Sequence, residues 1–359
     1  MVRSLAVADD RLDILIVSQM YPGPVDPDLG VFVRAQEEAL RARGHRVRVV
    51  AVTRRGGSVL KHLGFALRAV GVIARRRPQV VYAHFLAPAG VLAALGTLLS
   101  GRTGLVVVAH GRDVRNIGER AGVAAAMRLL ARRADHVVAV SRFLADDLER
   151  RLPALAGRVE VFDAGVDVVE TFTPGSRAGA RARVGWEPAA SDGPAFLFVG
   201  TLDERKNVLR LASAFERLGT GSLTLVGDGP LRGALAGRPG IRLVGRVAHE
   251  QVVDWIRASD VLCLVSTVEP FGQVLVEAMA CERSVVATRV GGPPEFVPAG
   301  VGVLVDPLDV LDVERGLREA AALPAPNRAA RVAALEHDVR RQAERIERLL
   351  RSAAHARRG

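Results

Sequence analysis

Glu269 and Glu277 flank a break in the stretch STVEPFGQVLVEAMA, residues 266–280. Pro270 and Gly272 interrupt regular structure there, so the stretch reads as a loop followed by a helix that begins near Gln273. The first turn of such a helix leaves the amides of Gln273, Val274 and Leu275 free, which makes a ready anion site. Glu269 would lie level with the anion and Glu277 about one turn inside the helix. One carboxylate could then hold hydroxyls on one side of a phosphate while the other holds hydroxyls on the opposite side. Ribose, diphosphate and hexose in line have that layout. Spacing alone does not carry the reading, because Glu336 and Glu344 repeat it in an arginine-rich segment. That second pair is expected to bind arginines on a solvated helix.

Lys206 is the next residue to stand out. The chain has 50 Lys+Arg, yet its only lysines are Lys61 and Lys206. A flexible ammonium suits a phosphate, and the neighbouring Arg205 gives a two-cation clamp for a diphosphate. The competing explanation is a lysine that survived by chance. Four turns that follow apolar runs point the same way: Gly200-Thr201, Gly227 to Pro230, Glu269 to Gly272, and Gly291 to Glu295. Each glycine lets the backbone turn sharply or approach a ligand. Any one could be local turn chemistry, but four on strand ends of one sheet are hard to explain that way.

These residues need a scaffold, and the chain supplies one twice. Apolar runs at 12–19, 46–52, 80–84, 104–110 and 136–140 read as strands. Segments 30–44 and 140–152 carry apolar residues at helical spacing, with Ser141 as an N-cap and Gly44 as a stop. The pattern restarts with strand runs at 194–200, 221–227, 241–245, 260–266, 284–290 and 302–306. Between the series, residues 162–194 are rich in Gly, Pro, Ala and Asp and read as a hinge region. Near-continuous apolar strands joined by helices imply parallel sheets covered on both faces. At 359 residues, two domains are expected. We assign 1–165 to a first α/β domain, 166–326 to a second, and 327–359 to a terminal helix that crosses back toward the first. Two doubly wound domains of this kind would turn the carboxyl ends of their sheets toward a shared ligand space.

Composition narrows the function classes. The uncharged run from Phe85 to Gly101 is too short and mild to span a bilayer and reads as a buried helix. Met1 to Arg11 carries Asp9 and Asp10 instead of an apolar core, so no signal peptide is expected. Cys263 and Cys281 are too few for a disulfide framework, and no metal-ligand spacing appears. A cytoplasmic, metal-free protein is the expectation. Net charge is +11, unevenly spread: residues 1–165 hold 25 Lys+Arg against 15 Asp+Glu, residues 166–326 hold 16 against 20, and the tail holds 9 against 4. Nucleic acid is not expected, since aromatics make up only 4% and do not interleave with the arginines. Anionic lipid or a phosphorylated substrate fits the basic first half better. Segment 60–78, with Lys61, Arg68 and Arg75 to Arg77 among apolar residues, resembles a basic amphipathic surface helix. A solvated domain helix is the alternative.

The stretches VGTLDERKN, LVGDGP, VGRV, ASDVLCLVSTVEPFGQVLVEAMA and VGGPPEFV resemble the donor-binding domain of retaining GT-B glycosyltransferases of family 4. In the first half, QMYPGPVDPDLGVFVRAQEEALRARGHRVRVV, VVYAHFLAPAG and VVVAHGRDV are similar to the same family, as is AGVDVVETFTP between the halves. The resemblance covers most of the chain. It implies an α/β fold of GT-B architecture, with two doubly wound Rossmann-like parallel-sheet domains facing across a cleft. It also implies transfer of a hexose, with retained configuration, from a nucleotide sugar to a hydroxyl. UDP is favoured as the carrier. The acceptor would be lipid-linked, of the cell envelope, or a small molecule. The enzyme would be cytoplasmic or peripheral on the inner face of a membrane.

Carried over residue by residue, the resemblance gives Glu269 the donor-sugar hydroxyls, with the amides of Phe271 and Gly272 nearby, and Glu277 the ribose. Lys206 with Arg205 would neutralise the diphosphate beside the helix amides near Val274 and Leu275. The backbone at Arg246 and Val247 would meet the base. His110 would face the donor sugar, Gly30 would belong to the loop near the reaction centre, and Asp113 would support the His110 region. Taken alone, His110 and His84 each read as buried histidines closing strands. No carboxylate base is needed if the leaving diphosphate accepts the acceptor's proton on the same face, and no metal or other cofactor is needed if cations and amides carry the charge. Three positions depart from the family pattern: Thr201 where arginine is common, Ala164 where asparagine is common, and Glu282 where glycine is usual. A sugar-nucleotide epimerase and a non-catalytic sugar-nucleotide-binding module are the competing readings.

Overall fold

The computed structural model describes residues 11–56, 59–117, 121–186 and 193–357. Met1 to Asp10, and residues 187–192 of the expected hinge, lie outside the described residues. The chain divides into two units. The first comprises residues up to Ala139, Ala145–Phe162 and the chain from Ala343 onward; the second comprises Val140–Leu144 and Asp163–Gln342.

In the first unit the order is β1 (Asp13–Ser18), α1 (Val31–Ala42), β2 (Arg46–Ala51), α2 (Val59–Arg76), β3 (Val80–His84), α3 (Val91–Ser100) and β4 (Gly104–Ala109). There follow α4 (Arg112–Arg115), α5 (Ala121–Arg133), β5 (His136–Ala139), α6 (Arg142–Arg151) and β6 (Val159–Val161). All neighbours pair in parallel in the order β2-β1-β3-β4-β5-β6. β1, β3 and β4 are buried almost throughout, the mark of a sheet covered on both faces. The short edge strand β6 is absent from the sequence expectation. It has three residues and is half-buried beyond Val159, so it shows neither a long apolar run nor clean alternation. The Phe85–Gly101 run is not one buried helix: a turn at Leu86–Gly90, extended at Ala87, precedes α3, and Leu95, Leu98 and Leu99 are exposed.

The second unit continues with α7 (Arg177–Val184), β7 (Ala195–Val199), α8 (Val208–Leu218), β8 (Ser222–Val226), α9 (Arg232–Leu235) and β9 (Ile241–Gly245). Then come α10 (His249–Ala258), β10 (Val261–Leu264), α11 (Gln273–Ala280), β11 (Ser284–Thr288), β12 (Gly302–Val305), α12 (Val310–Ala321) and α13 (Arg328–Ala334). Its parallel sheet has the order β12-β11-β10-β7-β8-β9. The chain winds outward from β7 through β8 to β9, then returns to place β10 on the other side of β7. The gap between β7 and β10 is therefore the topological switch point of this sheet, where ligands of open α/β folds bind.

Two expectations are corrected here. Residues 162–194 are not wholly a linker, because α7 packs on the second unit: Arg177 and Arg181 pair with Asp260, Arg183 pairs with Asp254, and Trp186 lies 5.9 Å from Trp255. The tail is not one helix, because Asp338 is extended and separates α13 and a tight turn from α14 (Val339–His355). There the chain pairs with Val166, whose amide donates to His337 O (2.9 Å) and whose carbonyl accepts from Val339 N (2.9 Å). Gly165 permits this approach, since a Cβ there would lie 2.5 Å from Val339 Cα. From Ala343 the helix packs on the first unit, where Arg43 pairs with Glu347 and Arg357 with Asp135.

Candidate active site

Lys206 follows β7 and Glu269 follows β10, so the two residues flank the switch point of the second sheet. The Lys206 Nζ donates to Glu269 Oε2 at 2.6 Å, and Ser266 Oγ donates to the same oxygen at 2.8 Å. Burial alone would raise the Glu269 pKa. The charge and hydrogen bond of Lys206, together with Ser266 and Arg205, outweigh it and hold the carboxylate below its ordinary range. Arg205 is half-buried and its side chain makes no ion pair among the described residues.

Backbone packing explains why glycine turns cluster here. The four strands that carry them, β8, β7, β10 and β11, are adjacent in the sheet. A Cβ at Gly227 would lie 1.9 Å from Gly200 O, and one at Gly291 would lie 2.0 Å from Glu269 O. Leu202 N donates to Asp228 O (3.0 Å), Thr267 N to Arg205 O (2.9 Å) and Gly292 N to Glu269 O (2.8 Å). Each turn is therefore hydrogen-bonded to the next, and together they fix the loops of Lys206 and Glu269. Asn207 completes the frame by donating to Val265 O (3.0 Å) and Pro307 O (2.6 Å).

The helix predicted after Gly272 is α11. Gly272 sits in the left-handed region at φ 95° and turns the chain into it. That tight turn places Gly272 O where it accepts the Leu275 amide at 2.9 Å. The expectation of three free amides is thus corrected: Leu275 N–H is bonded within the turn, while Gln273 and Val274 show no such bond among the described residues. Phe271 is half-buried against Phe296 (4.8 Å) and His337 (5.6 Å).

Glu277 lies one turn into α11, buried, with no side-chain hydrogen bond among the described residues. Burial pushes its pKa up to about 8. A buried carboxyl without a protein partner suits a ligand that brings hydroxyls of its own. The other equally spaced pair does bind arginines, Glu336 to Arg341 and Glu344 to Arg43, but the two do not share a helix, since Glu336 lies in the turn before α14. Arg246 and Val247 follow the edge strand β9, two strands away from β7, and no described contact ties Val247 to the Lys206–Glu269 pair.

In the first unit, sequence-predicted residues meet at the ends of β1, β3 and β4. Gly30 adopts φ 66° at the start of α1, and a Cβ there would lie 2.7 Å from the backbone of Met20. Phe32, two residues on, packs against His110 with ring centres 4.8 Å apart. Tyr82 of β3 donates to Gln36 of α1 at 2.8 Å, which pins this helix to the strand. Asp113 accepts from the amides of Leu86 (2.8 Å), Gly111 (2.8 Å) and His110 (3.2 Å), joining the loops after β3 and β4. Burial raises its pKa against those bonds.

Sequence reasoning assigned no role to His84. In the structure His84 Nδ1 lies 3.2 Å from His110 Nε2, and the rings stack 5.4 Å apart at 17°. His84 Nε2 is buried without a partner. Burial lowers the pKa of both rings, that of His110 to about 3. The signal available in the sequence was that both histidines end apolar strand runs separated by one crossover.

Comparison with known proteins bears on the family and the fold. Residues 29–170 match a family model described as Glycosyltransferase Family 4, and residues 193–322 one described as Glycosyl transferases group 1. A D-inositol 3-phosphate glycosyltransferase 1 from Catenulispora acidiphila is 36% identical over 241 residues, covering 61% of this chain and 55% of that protein. The chain spans about half the length of the curated relatives it matches. Among solved structures, sucrose-phosphate synthase from Thermosynechococcus elongatus aligns with a TM-score of 0.78 at 22% identity, covering 96% of this chain and all of that one (100%). The Anabaena protein HepE in complex with UDP and glucose aligns with a TM-score of 0.73 at 21% identity, covering 95% of this chain and 100% of the other.

Proposed function

Because the chain belongs to the family 4 (group 1) glycosyltransferases, with their two-domain Rossmann-like GT-B fold, we propose that it transfers a hexose from a UDP-sugar to an acceptor hydroxyl with retained configuration. The observation that carries this reading is the Lys206–Glu269 pair at the switch point, beside the first turn of α11. A diphosphate there meets Lys206, Arg205 and the amides of Gln273 and Val274. Glu269, with the backbone of Phe271 and Gly272, takes sugar hydroxyls; Glu277 takes ribose hydroxyls; Arg246 and Val247 lie along the base. His110 and Gly30 keep the roles that the family resemblance gives them, at the transferred sugar and in the loop before α1.

In the reaction, the bond between the anomeric carbon and the diphosphate oxygen breaks as negative charge grows on the diphosphate. Fixed cations and amides stabilise that charge. The acceptor hydroxyl bonds to the anomeric carbon on the face the diphosphate leaves, and its proton passes to a diphosphate oxygen. Neutralisation by Lys206 and Arg205 lets this proceed without a metal or other cofactor. UDP as the carrier is supported by the HepE complexes, which hold UDP and UDP-glucose. A phosphorylated small molecule as acceptor is supported by the names of the inositol phosphate relatives, and lipid-linked or cell-envelope acceptors belong to the same proposal. We place the enzyme in the cytoplasm, at the inner face of a membrane.

The test is release of UDP from UDP-glucose by the purified protein, with and without candidate acceptors. Turnover that Glu269→Ala abolishes is expected; full activity in that variant would remove Glu269 from the site. Thermal stabilisation across UDP-, GDP- and ADP-sugars identifies the carrier.

A further inference from the structure

Helix α2 has two apolar faces. Phe65, Ala69 and Ile73 are buried toward the sheet. On the opposite side Leu60, Leu63 and Leu67, at helical spacing i, i+3, i+7, are 76%, 53% and 68% exposed. The neighbouring α3 repeats the arrangement, with Ala93, Ala94 and Gly96 buried and Leu95, Leu98 and Leu99 exposed. The two helices touch closely, since a Cβ at Gly96 would lie 2.8 Å from Ile73 Cδ1. Both belong to crossovers that step in the same direction across the sheet, β2 to β3 and β3 to β4, so right-handed connections put them on one face.

The charge beside these leucines has one sign. Every charged side chain between Glu38 and Asp113 is a lysine or arginine. Lys61, Arg68 and Arg75 flank the leucine stripe on α2, and Arg68, Arg75 and Arg76 line a shallow groove of about 290 Å³ with Leu67. No described carboxylate pairs with these three arginines. No described helix is long and apolar enough to cross a membrane, so such a face can lie on a bilayer but not span it. A second copy of the chain would set these arginines against their own like charges, whereas anionic headgroups complement them and the acyl boundary takes the leucines.

We propose that the outward face of α2 and α3 docks on a membrane rich in anionic phospholipid. This deepens the location proposed above and is independent of the donor chemistry, which none of these residues touches. Flotation of the full chain with phosphatidylcholine vesicles, with and without phosphatidylglycerol, tests it. Binding to the anionic vesicles that weakens with salt is expected, with a loss of roughly fivefold for each cation removed. Leu60→Ser/Leu63→Ser/Leu67→Ser and Arg68→Gln/Arg75→Gln/Arg76→Gln should each lose binding while keeping the wild-type melting temperature and rate of UDP release from UDP-glucose in vesicle-free solution. Equal binding to neutral and anionic vesicles would overturn the proposal. So would a leucine variant that binds like wild type, inorganic phosphate that competes at constant ionic strength, or a solution dimer that the leucine variant disperses.

Discussion

Lys206 Nζ and Glu269 Oε2 stand 2.6 Å apart on loops that come from the two strands flanking a switch point, 63 residues apart in sequence. Both groups are largely buried, so each charge depends on the other for compensation in a place where water is scarce. The ammonium compensates the carboxylate; under the function proposed above, each would take a ligand partner when the donor binds.

That relationship separates stability from activity. Lys206→Met leaves Glu269 buried and unpaired and should cost about 3–5 kcal/mol. Lys206→Met/Glu269→Leu should recover much of that stability, since both charges are gone, yet remain inactive. Denaturant melts and UDP release measured on the same samples check both halves. A double variant that regained turnover would make the pair structural only.

Glu282 offers a second test. It stands where the family usually has glycine and adopts φ 60° in the turn after α11. A side chain in the left-handed region costs about 1–2 kcal/mol. Glu282→Gly relieves this against a larger chain entropy, so a gain of up to about 1 kcal/mol is expected, with donor affinity unchanged. Thermal unfolding with and without UDP measures both.

These cases mark how far the sequence could be read. Strand runs such as FLFVG and VLCLVS placed the sheets because buried parallel strands need continuous apolar residues. The cluster of glycine turns was legible because a Cβ at Gly227 or Gly291 has no room. Three-residue β6 and the break at Asp338 were not legible: each depends on a partner distant in sequence, Ala139 for one and Val166 for the other. The Leu275 amide was misread because its acceptor, Gly272 O, is created by the turn itself. His84 was passed over because its contact with His110 follows from strand register, not from spacing.

The paired histidines should be silent to pH near neutrality. Burial lowers both pKa values, so neither ring is charged in the native state between about pH 5 and 8. The unfolded chain protonates them near pH 6.5. Their contribution to stability is therefore present above that pH and is lost as pH falls below it, at up to about 1.4 kcal/mol per pH unit for each ring. Nitrogen-15 spectra of the rings should show two neutral tautomers that do not titrate from pH 6 to 8. His84→Phe should lower turnover while leaving donor KM nearly unchanged. A titrating pair would contradict the burial that the structure assigns.

Glu277 titrates with the opposite sign. Its folded pKa of about 8 lies above the ordinary carboxyl value, so the folded chain holds a proton that the unfolded chain releases near pH 4.5. Stability from this group is full below pH 4.5 and declines as pH rises, levelling off once pH passes about 8. Glu277→Gln, which cannot ionise, should escape the decline, so the stability gap between variant and wild type should widen from pH 5 to 8. Ribose hydroxyls donating to the carboxylate would favour its ionised form. Binding of UDP at pH 7 should then release a proton, and affinity should rise with pH until about 8. Calorimetry of UDP binding in buffers of different ionisation enthalpy reads the proton directly. Wild type should show release and Glu277→Gln none, with weaker binding; the same proton count in both would place the ribose elsewhere.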